Sequence, residues 1–177
     1  GLSLADRLAA AGRSADLLIA NNVLAHVPDI NDFVAGVARL LKPAGVATFE
    51  FPHVLKLMQE NQFDTVYHEH FSYLSLVTTT AIFKRHGLSV FDVEELPTHG
   101  GSLRVFAQRT ADGRFDTSET VARLMSVEVN AGITTESVYR GFQAKADRVK
   151  DDFLTFLIEA KREGKTVAAY GAAAKGN

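Results

Sequence analysis

Apolar residues along the chain fall into two rhythms, and the switches between them predict the elements. Leu4 to Ala11 reads as a helix stopped by Gly12, followed by Asp16-Leu17-Leu18-Ile19-Ala20, a short run of the kind that forms a buried parallel strand. From Asp29 to Leu41 the residues Phe33, Val34, Val37, Leu40 and Leu41 share one helical face, with Asp29 placed to cap the start and Pro43 and Gly45 beyond the end. Val46-Ala47-Thr48-Phe49-Glu50-Phe51 predicts the next strand, closed by Pro52. Strand, helix and strand with a short return predict a right-handed parallel crossover.

Leu74 to His86 returns to helical spacing and is closed by Gly87. Leu88 to Val93 and Leu103 to Ala107 bracket the turn-rich Leu96-Pro97-Thr98-His99-Gly100-Gly101, which predicts two antiparallel strands joined by that loop. Thr110-Ala111-Asp112-Gly113 is a polar break, and the pattern after it is helical. In Thr134 to Glu163 the residues Val138, Phe142, Ala146, Val149, Phe153, Phe156, Leu157 and Ala160 step by three or four, predicting one long helix. Val167-Ala168-Ala169-Tyr170 predicts a strand running into the small-residue turn Gly171-Ala172-Ala173-Ala174-Lys175-Gly176. The expected organisation is one unit over residues 1–110 and the start of a second over 111–177. An opening strand with a glycine-rich turn is missing from the first and all but one strand from the second, so the pattern predicts a piece of a larger α/β protein.

Composition narrows the classes. With 46% hydrophobic and 23% charged residues among 177, the chain has an ordinary globular balance. Its formal charge is −2, and the 19 basic residues are scattered rather than gathered into a stripe, which argues against nucleic acid as a partner. Cysteine is absent, so neither a disulfide framework nor a thiolate metal site can be built from these residues, and a reducing cytoplasm is the expected compartment. No apolar run approaches the roughly 18 residues that a membrane helix needs, so no membrane partner is expected.

Candidate chemistry concentrates in Tyr67-His68-Glu69-His70. Buried imidazoles and carboxylates need partners, so four proton-handling side chains in a row, flanked by aromatics, are poor packing and a good site. In an extended segment His68 and His70 would share one face; in a helical turn Tyr67 and His70 would meet. An imidazole takes a proton near neutral pH, and a tyrosine or glutamate beside it can orient it or donate to a developing oxyanion. A metal site from His53, His68 and His70 is the alternative. Asn21, Asn22 and His26 follow the first predicted strand, where ligands bind in open α/β sheets, although two asparagines before a helix also make a plain turn. In His99-Gly100-Gly101-Ser102-Leu103-Arg104, glycines allow close backbone approach and Arg104 could hold a phosphate or carboxylate; a simple hairpin loop would look the same. Lys175 sits in a turn of the phosphate-cradling kind, without the Walker spacing.

Several of these strings, in order, resemble one family. The blocks are Asn22-Val23-Leu24-Ala25-His26-Val27-Pro28-Asp29, Glu50-Phe51-Pro52-His53, Phe63-Asp64-Thr65-Val66-Tyr67-His68-Glu69-His70, His99-Gly100-Gly101-Ser102-Leu103-Arg104 and Tyr170-Gly171-Ala172-Ala173-Ala174-Lys175-Gly176-Asn177. Together they resemble the S-adenosylmethionine-dependent C-methyltransferases that act on nucleotide-linked keto-deoxysugars. Leu40-Leu41-Lys42-Pro43-Ala44-Gly45 is similar to the run before the fifth strand of class I methyltransferases, with Ala44 in place of a glycine.

The resemblance implies a partial class I methyltransferase (Rossmann-like) sheet with an antiparallel C-terminal hairpin, then helices leading into a second Rossmann-like domain. It implies S-adenosylmethionine as cofactor near Ala20, Asn21 and Asn22, and zinc in an N-terminal cysteine-bearing module that these residues do not match. His70 is then the base that removes a proton beside the sugar carbonyl, Glu69 and Tyr67 support it, and His26 faces the sugar. His53, His68, His99, Gly100, Gly101, Ser102, Arg104 and Lys175 are the implied substrate contacts, with a small nucleotide sugar as partner. The competing readings are a metal-assisted hydrolase or isomerase using the histidines, and a sugar-nucleotide-binding module without chemistry. Lacking the cofactor's glycine-rich turn, the 177 residues alone are expected to bind S-adenosylmethionine weakly.

Overall fold

The computed structural model describes residues 1–171. Helix α1 (Leu2–Ala10) ends at Gly12, whose φ of +71° suits a residue without a β-carbon. Strand β1 (Ala15–Asn21) follows, then helix α2 (Ile30–Leu40) and strand β2 (Leu41–Pro52). Asp29 caps α2 as its position suggests, its side chain accepting from the Asp32 N–H at 2.9 Å. Short helix α3 (Val54–Gln59) leads into an irregular stretch and then α4 (Leu76–Arg85), capped by Ser75. Strands β3 (Leu88–Leu96) and β4 (Ser102–Arg109) come next, and α5 (Glu119–Asn130), α6 (Glu136–Arg140) and α7 (Phe142–Arg162) complete the chain.

The four strands form one sheet in the order β1-β2-β4-β3. β1 and β2 are parallel, whereas β4 runs antiparallel to both of its neighbours. The parallel crossover and the antiparallel hairpin both match the sequence reading. One sheet face carries Phe49, Phe51, Leu103, Val105 and Ala107, all fully buried under Val34 and Val37 of α2, Leu76 and Phe83 of α4 and Val121 and Leu124 of α5. Phe49 and Phe83 meet across that interface at 4.6 Å. On the other face Phe91 packs on Phe106 and stacks on Phe115. A second small core joins Val54, Leu55, Leu57 and Met58 to Ile133, Val138 and Phe142. The helices after Arg109 are thus fastened to the preceding residues at two places, the sheet and α3.

Three expectations differ. Residues 16–20 are not buried on both faces: Leu17 and Ile19 are exposed while Leu18 and Ala20 turn inward, because only one side of β1 is covered among the described residues. The long helix expected from Thr134 to Glu163 is interrupted at Gly141, although that residue keeps helical angles and its N–H still reaches the Ser137 carbonyl. Of its apolar stripe, Ala160 is buried while Val149, Phe153 and Phe156 are exposed. Residues 167–170 take no strand conformation; a strand needs a pairing neighbour, and none lies beside them among the described residues. Lys175 lies outside the described residues.

Candidate active site

The chain leaves β1 through Asn22, which adopts a left-handed conformation (φ +53°) and donates its N–H to the Glu50 carbonyl at 2.8 Å. A single 3-10 turn, Leu24–His26, then buries Leu24 and Ala25 and projects His26. Beyond β2 the stretch after α3 makes a second such turn, Phe63–Thr65, and then a tight reversal in which the His70 N–H returns to the Tyr67 carbonyl at 3.1 Å. Phe71 and Ser72 both donate their N–H groups to the Ala25 carbonyl, which ties the reversal to the end of β1. The third contributor is the β3–β4 loop, where His99 is left-handed (φ +55°).

These pieces enclose a pocket of about 210 Å³ lined by Asn22, His26, Pro52, Thr65, Tyr67, His70 and His99. It lies beyond the carboxyl ends of the parallel pair, where open α/β sheets hold ligands. Of the three non-glycine residues with positive φ among the described residues, two line it, and non-glycine residues take that conformation at a cost of about 1–3 kcal/mol where surrounding structure or function holds them.

The turn decides between the two geometries that Tyr67 to His70 allowed. Tyr67 and His70 come together with ring centroids 4.6 Å apart, while His68 and the Glu69 side chain occupy the exposed corners. The rings of His26 and His70 stand edge to face at 4.7 Å. His70 Nδ1 is 2.9 Å from the Thr65 carbonyl oxygen and His26 Nδ1 is 3.0 Å from the Glu69 carbonyl oxygen. A carbonyl only accepts, so both Nδ1 atoms carry hydrogen and, in the neutral rings, both lone pairs lie on Nε2. Tyr73 packs against the far edge of His70 at 5.9 Å, and burial pushes its phenol above the ordinary tyrosine range, keeping it a hydrogen-bond donor at neutral pH.

Other expected site residues stand elsewhere. Ala20 is buried under the strand end and Asn21 is exposed beside the pocket. His53 does not line the pocket: it is buried, with Nε2 2.7 Å from the Glu128 carboxylate. Arg104 is engaged by Glu50 at 2.9 Å and Glu94 at 3.3 Å, and the Glu50 hydrogen bond raises its already high pKa. Gly100 gives its carbonyl to Gln62 Nε2, Gly101 passes against the Lys56 side chain, and buried Ser102 donates to the Thr98 carbonyl. His53, His68 and His70 do not converge, and among the described residues no three metal-ligating side chains gather.

Sequence reasoning passed over Thr65, whose contribution is a main-chain oxygen that no residue pattern marks. It also passed over Glu50 and Glu128. Both had a signal: Glu50 alternates with Phe49 and Phe51 in a strand, and Glu128 continues the stripe of Val121 and Leu124 on one helical face.

Residues 3–93 match the methyltransferase domain family, and residues 97–177 match the C-methyltransferase C-terminal domain family. The C-methyltransferase NovU of Streptomyces niveus is 39% identical over 163 residues, which cover 92% of this chain and 39% of that protein. The chain therefore spans well under half the length of that relative. Among solved structures, the magnesium protoporphyrin IX methyltransferase of Synechocystis PCC 6803 with bound SAH aligns at 17% identity, covering 54% of this chain and 45% of that one (TM-score 0.44). A SAM-dependent methyltransferase of Methanosarcina mazei aligns at 16% identity over 55% of this chain and 60% of that one (TM-score 0.41). None of the described helices is long and apolar enough to cross a membrane.

Proposed function

Because the chain belongs to the methyltransferase family, we propose that its pocket is the carbon-acid half of a C-methyltransferase acting on a nucleotide-linked keto-deoxysugar. The observation that carries this reading is the His70 ring, held by the Thr65 carbonyl with its lone pair on Nε2 and packed between His26 and Tyr67.

Bound S-adenosylmethionine supplies an electrophilic methyl group. The strand end fits such a polar ligand: Asn21 is exposed, Asn22 lines the pocket, and Ala20 offers only its main chain. The protein's own task is to make a carbon nucleophile. A proton on the carbon next to a sugar carbonyl is acidified by that carbonyl, and His70 Nε2 accepts it. The bonding pair moves into the carbonyl, giving an enolate whose oxygen takes a hydrogen bond from the Tyr67 hydroxyl. Methyl transfer to that carbon would break the cofactor's sulfur–methyl bond, its electron pair leaving on sulfur, and the enolate would return to a carbonyl as its pair forms the new carbon–carbon bond. His26, anchored like His70, offers an acceptor at Nε2 when neutral and a donor when charged, so it can orient a sugar hydroxyl beside the carbonyl. His99 closes the opposite wall. Glu69 acts through its carbonyl, which fixes the His26 ring.

The test is His70→Ala in the full-length protein, supplied with S-adenosylmethionine and a nucleotide-linked keto-deoxysugar. Both methyl transfer and solvent deuterium exchange at the acidic carbon are expected to be lost. Retention of that exchange at the wild-type rate would refute His70 as the base.

A further inference from the structure

Glu128 is fully buried although its helix α5 lies outside the pocket. Its carboxylate accepts three hydrogen bonds: from the Leu76 and Val77 N–H groups at 2.7 and 2.8 Å, in the first turn of α4, and from His53 Nε2–H at 2.7 Å. A carboxylate at a helix N-terminus is favourably placed, which helps to offset the cost of burying it. His53 is equally buried, and its Nδ1 finds no partner among the described residues. A buried ion pair is weak evidence of a purely stabilising role, since apolar residues of similar volume often replace one without loss of stability.

What distinguishes the joint is what hangs from it. Pro52, immediately before His53, lines the pocket. The His53 N–H holds the Gly101 carbonyl at 3.0 Å, two residues beyond His99, and the next N–H, of Val54, holds the Leu74 carbonyl at 3.0 Å, on the segment that follows His70. Three pocket-bearing stretches thus meet at His53, whose imidazole Glu128 clamps, and at the residue after it. The carboxylate itself comes from the part of the chain that matches the C-terminal domain of C-methyltransferases.

We propose that Glu128 is a positioning residue, which acts through His53 to set Pro52 and the His99 loop for the reaction. The role in turnover rests on the base reading given above; the role in holding the loop does not.

In the full-length protein Glu128→Gln keeps the volume but turns an N–H toward the Val77 N–H or the His53 ring. Turnover at saturation is expected to fall about tenfold or more with the KM for S-adenosylmethionine within about twofold. Amide exchange at residues 53 and 99–101 is expected to quicken about tenfold while Leu103 to Ala107 of β4 keeps its protection. Unchanged exchange at 53 and 99–101, a uniform rise that includes β4, or full turnover would overturn the proposal. If that variant does not fold, His53→Gln, which restores a donor to Glu128, is expected to turn over about tenfold faster than His53→Leu, and equal loss in the two would overturn it. Failure of the base reading shows separately, as an active His70→Ala variant, with the exchange result standing on its own.

Discussion

His26 and His70 stand with ring centroids 4.7 Å apart, and each gives its Nδ1 hydrogen to a main-chain oxygen, of Glu69 and of Thr65 respectively. The two rings are therefore oriented by main-chain oxygens, and both residues line one small pocket. In the proposed reaction, imidazoles held in this way would exchange protons with the substrate without reorienting.

Replacing His26 with Asn removes the Nε2 atom while leaving the Glu69 carbonyl in place. Turnover is expected to drop by about 100-fold, within the range usual for a lost proton-handling group, with the fold intact by circular dichroism. Single-turnover methyl transfer measures it, and a loss of less than about threefold would remove His26 from the reacting set.

His99→Gly acts on stability and function in opposite directions. Glycine occupies φ +55° without penalty, so about 1 kcal/mol of backbone strain is released and the thermal midpoint should rise by roughly 2–4 °C. The same change strips the imidazole from the pocket, and the KM for the proposed keto-sugar substrate should increase. Differential scanning calorimetry beside steady-state kinetics decides whether the two effects part in this way.

Gly101→Ala is the converse case. Gly101 has φ +113°, and a β-carbon there would stand 2.9 Å from the Lys56 side chain. Since that stem can give way, the backbone angle dominates, and a loss of about 1–3 kcal/mol is expected in urea unfolding. A midpoint equal to wild type would show that the loop relaxes freely.

Burial pushes the phenols of Tyr73 and Tyr139 above their ordinary value of 10. The folded state therefore binds those protons more tightly than the unfolded chain, and the stability they contribute is fully present below pH 10 and lost as pH rises through the folded values. Unfolding free energies of wild type and the Tyr73→Phe, Tyr139→Phe double variant should run parallel up to about pH 9 and diverge above about pH 10, wild type falling faster. Parallel curves throughout would contradict the upward shift of these partly exposed phenols.

Much of the sheet was legible because its signals are local. Asp29 and Ser75 stand where caps belong, the alternation around Phe49 and Phe51 marks a one-sided strand, and the loop from Leu96 to Gly101 brings β3 back as β4. The parallel crossover followed from connection rules alone. Of the candidate site, Asn22, His26, Tyr67, His70 and His99 line one pocket, whereas His53, His68 and Arg104 do not. What residue types could not convey was main-chain partnership. Thr65 and Glu69 contribute carbonyl oxygens, an atom that every residue owns, so no composition singles them out. His53 and Arg104 were drawn toward the site by their chemistry, yet Glu128 and Glu50 claim them first, and pairings across 75 and 54 positions are invisible to local spacing. The stripe along α7 has helical period, but period fixes only the face and not what covers it.

The separation of 75 residues between His53 and Glu128 also orders events during folding. Sheet, hairpin and α4 can gather through nearer neighbours, whereas this contact requires the chain to close a long loop and return α5 to the joint. Until it does, the first amides of α4 and the His53 ring remain facing water. The pocket walls then lack the clamp on His53, so with the positioning role proposed for Glu128 a competent pocket exists only once α5 has returned to the joint.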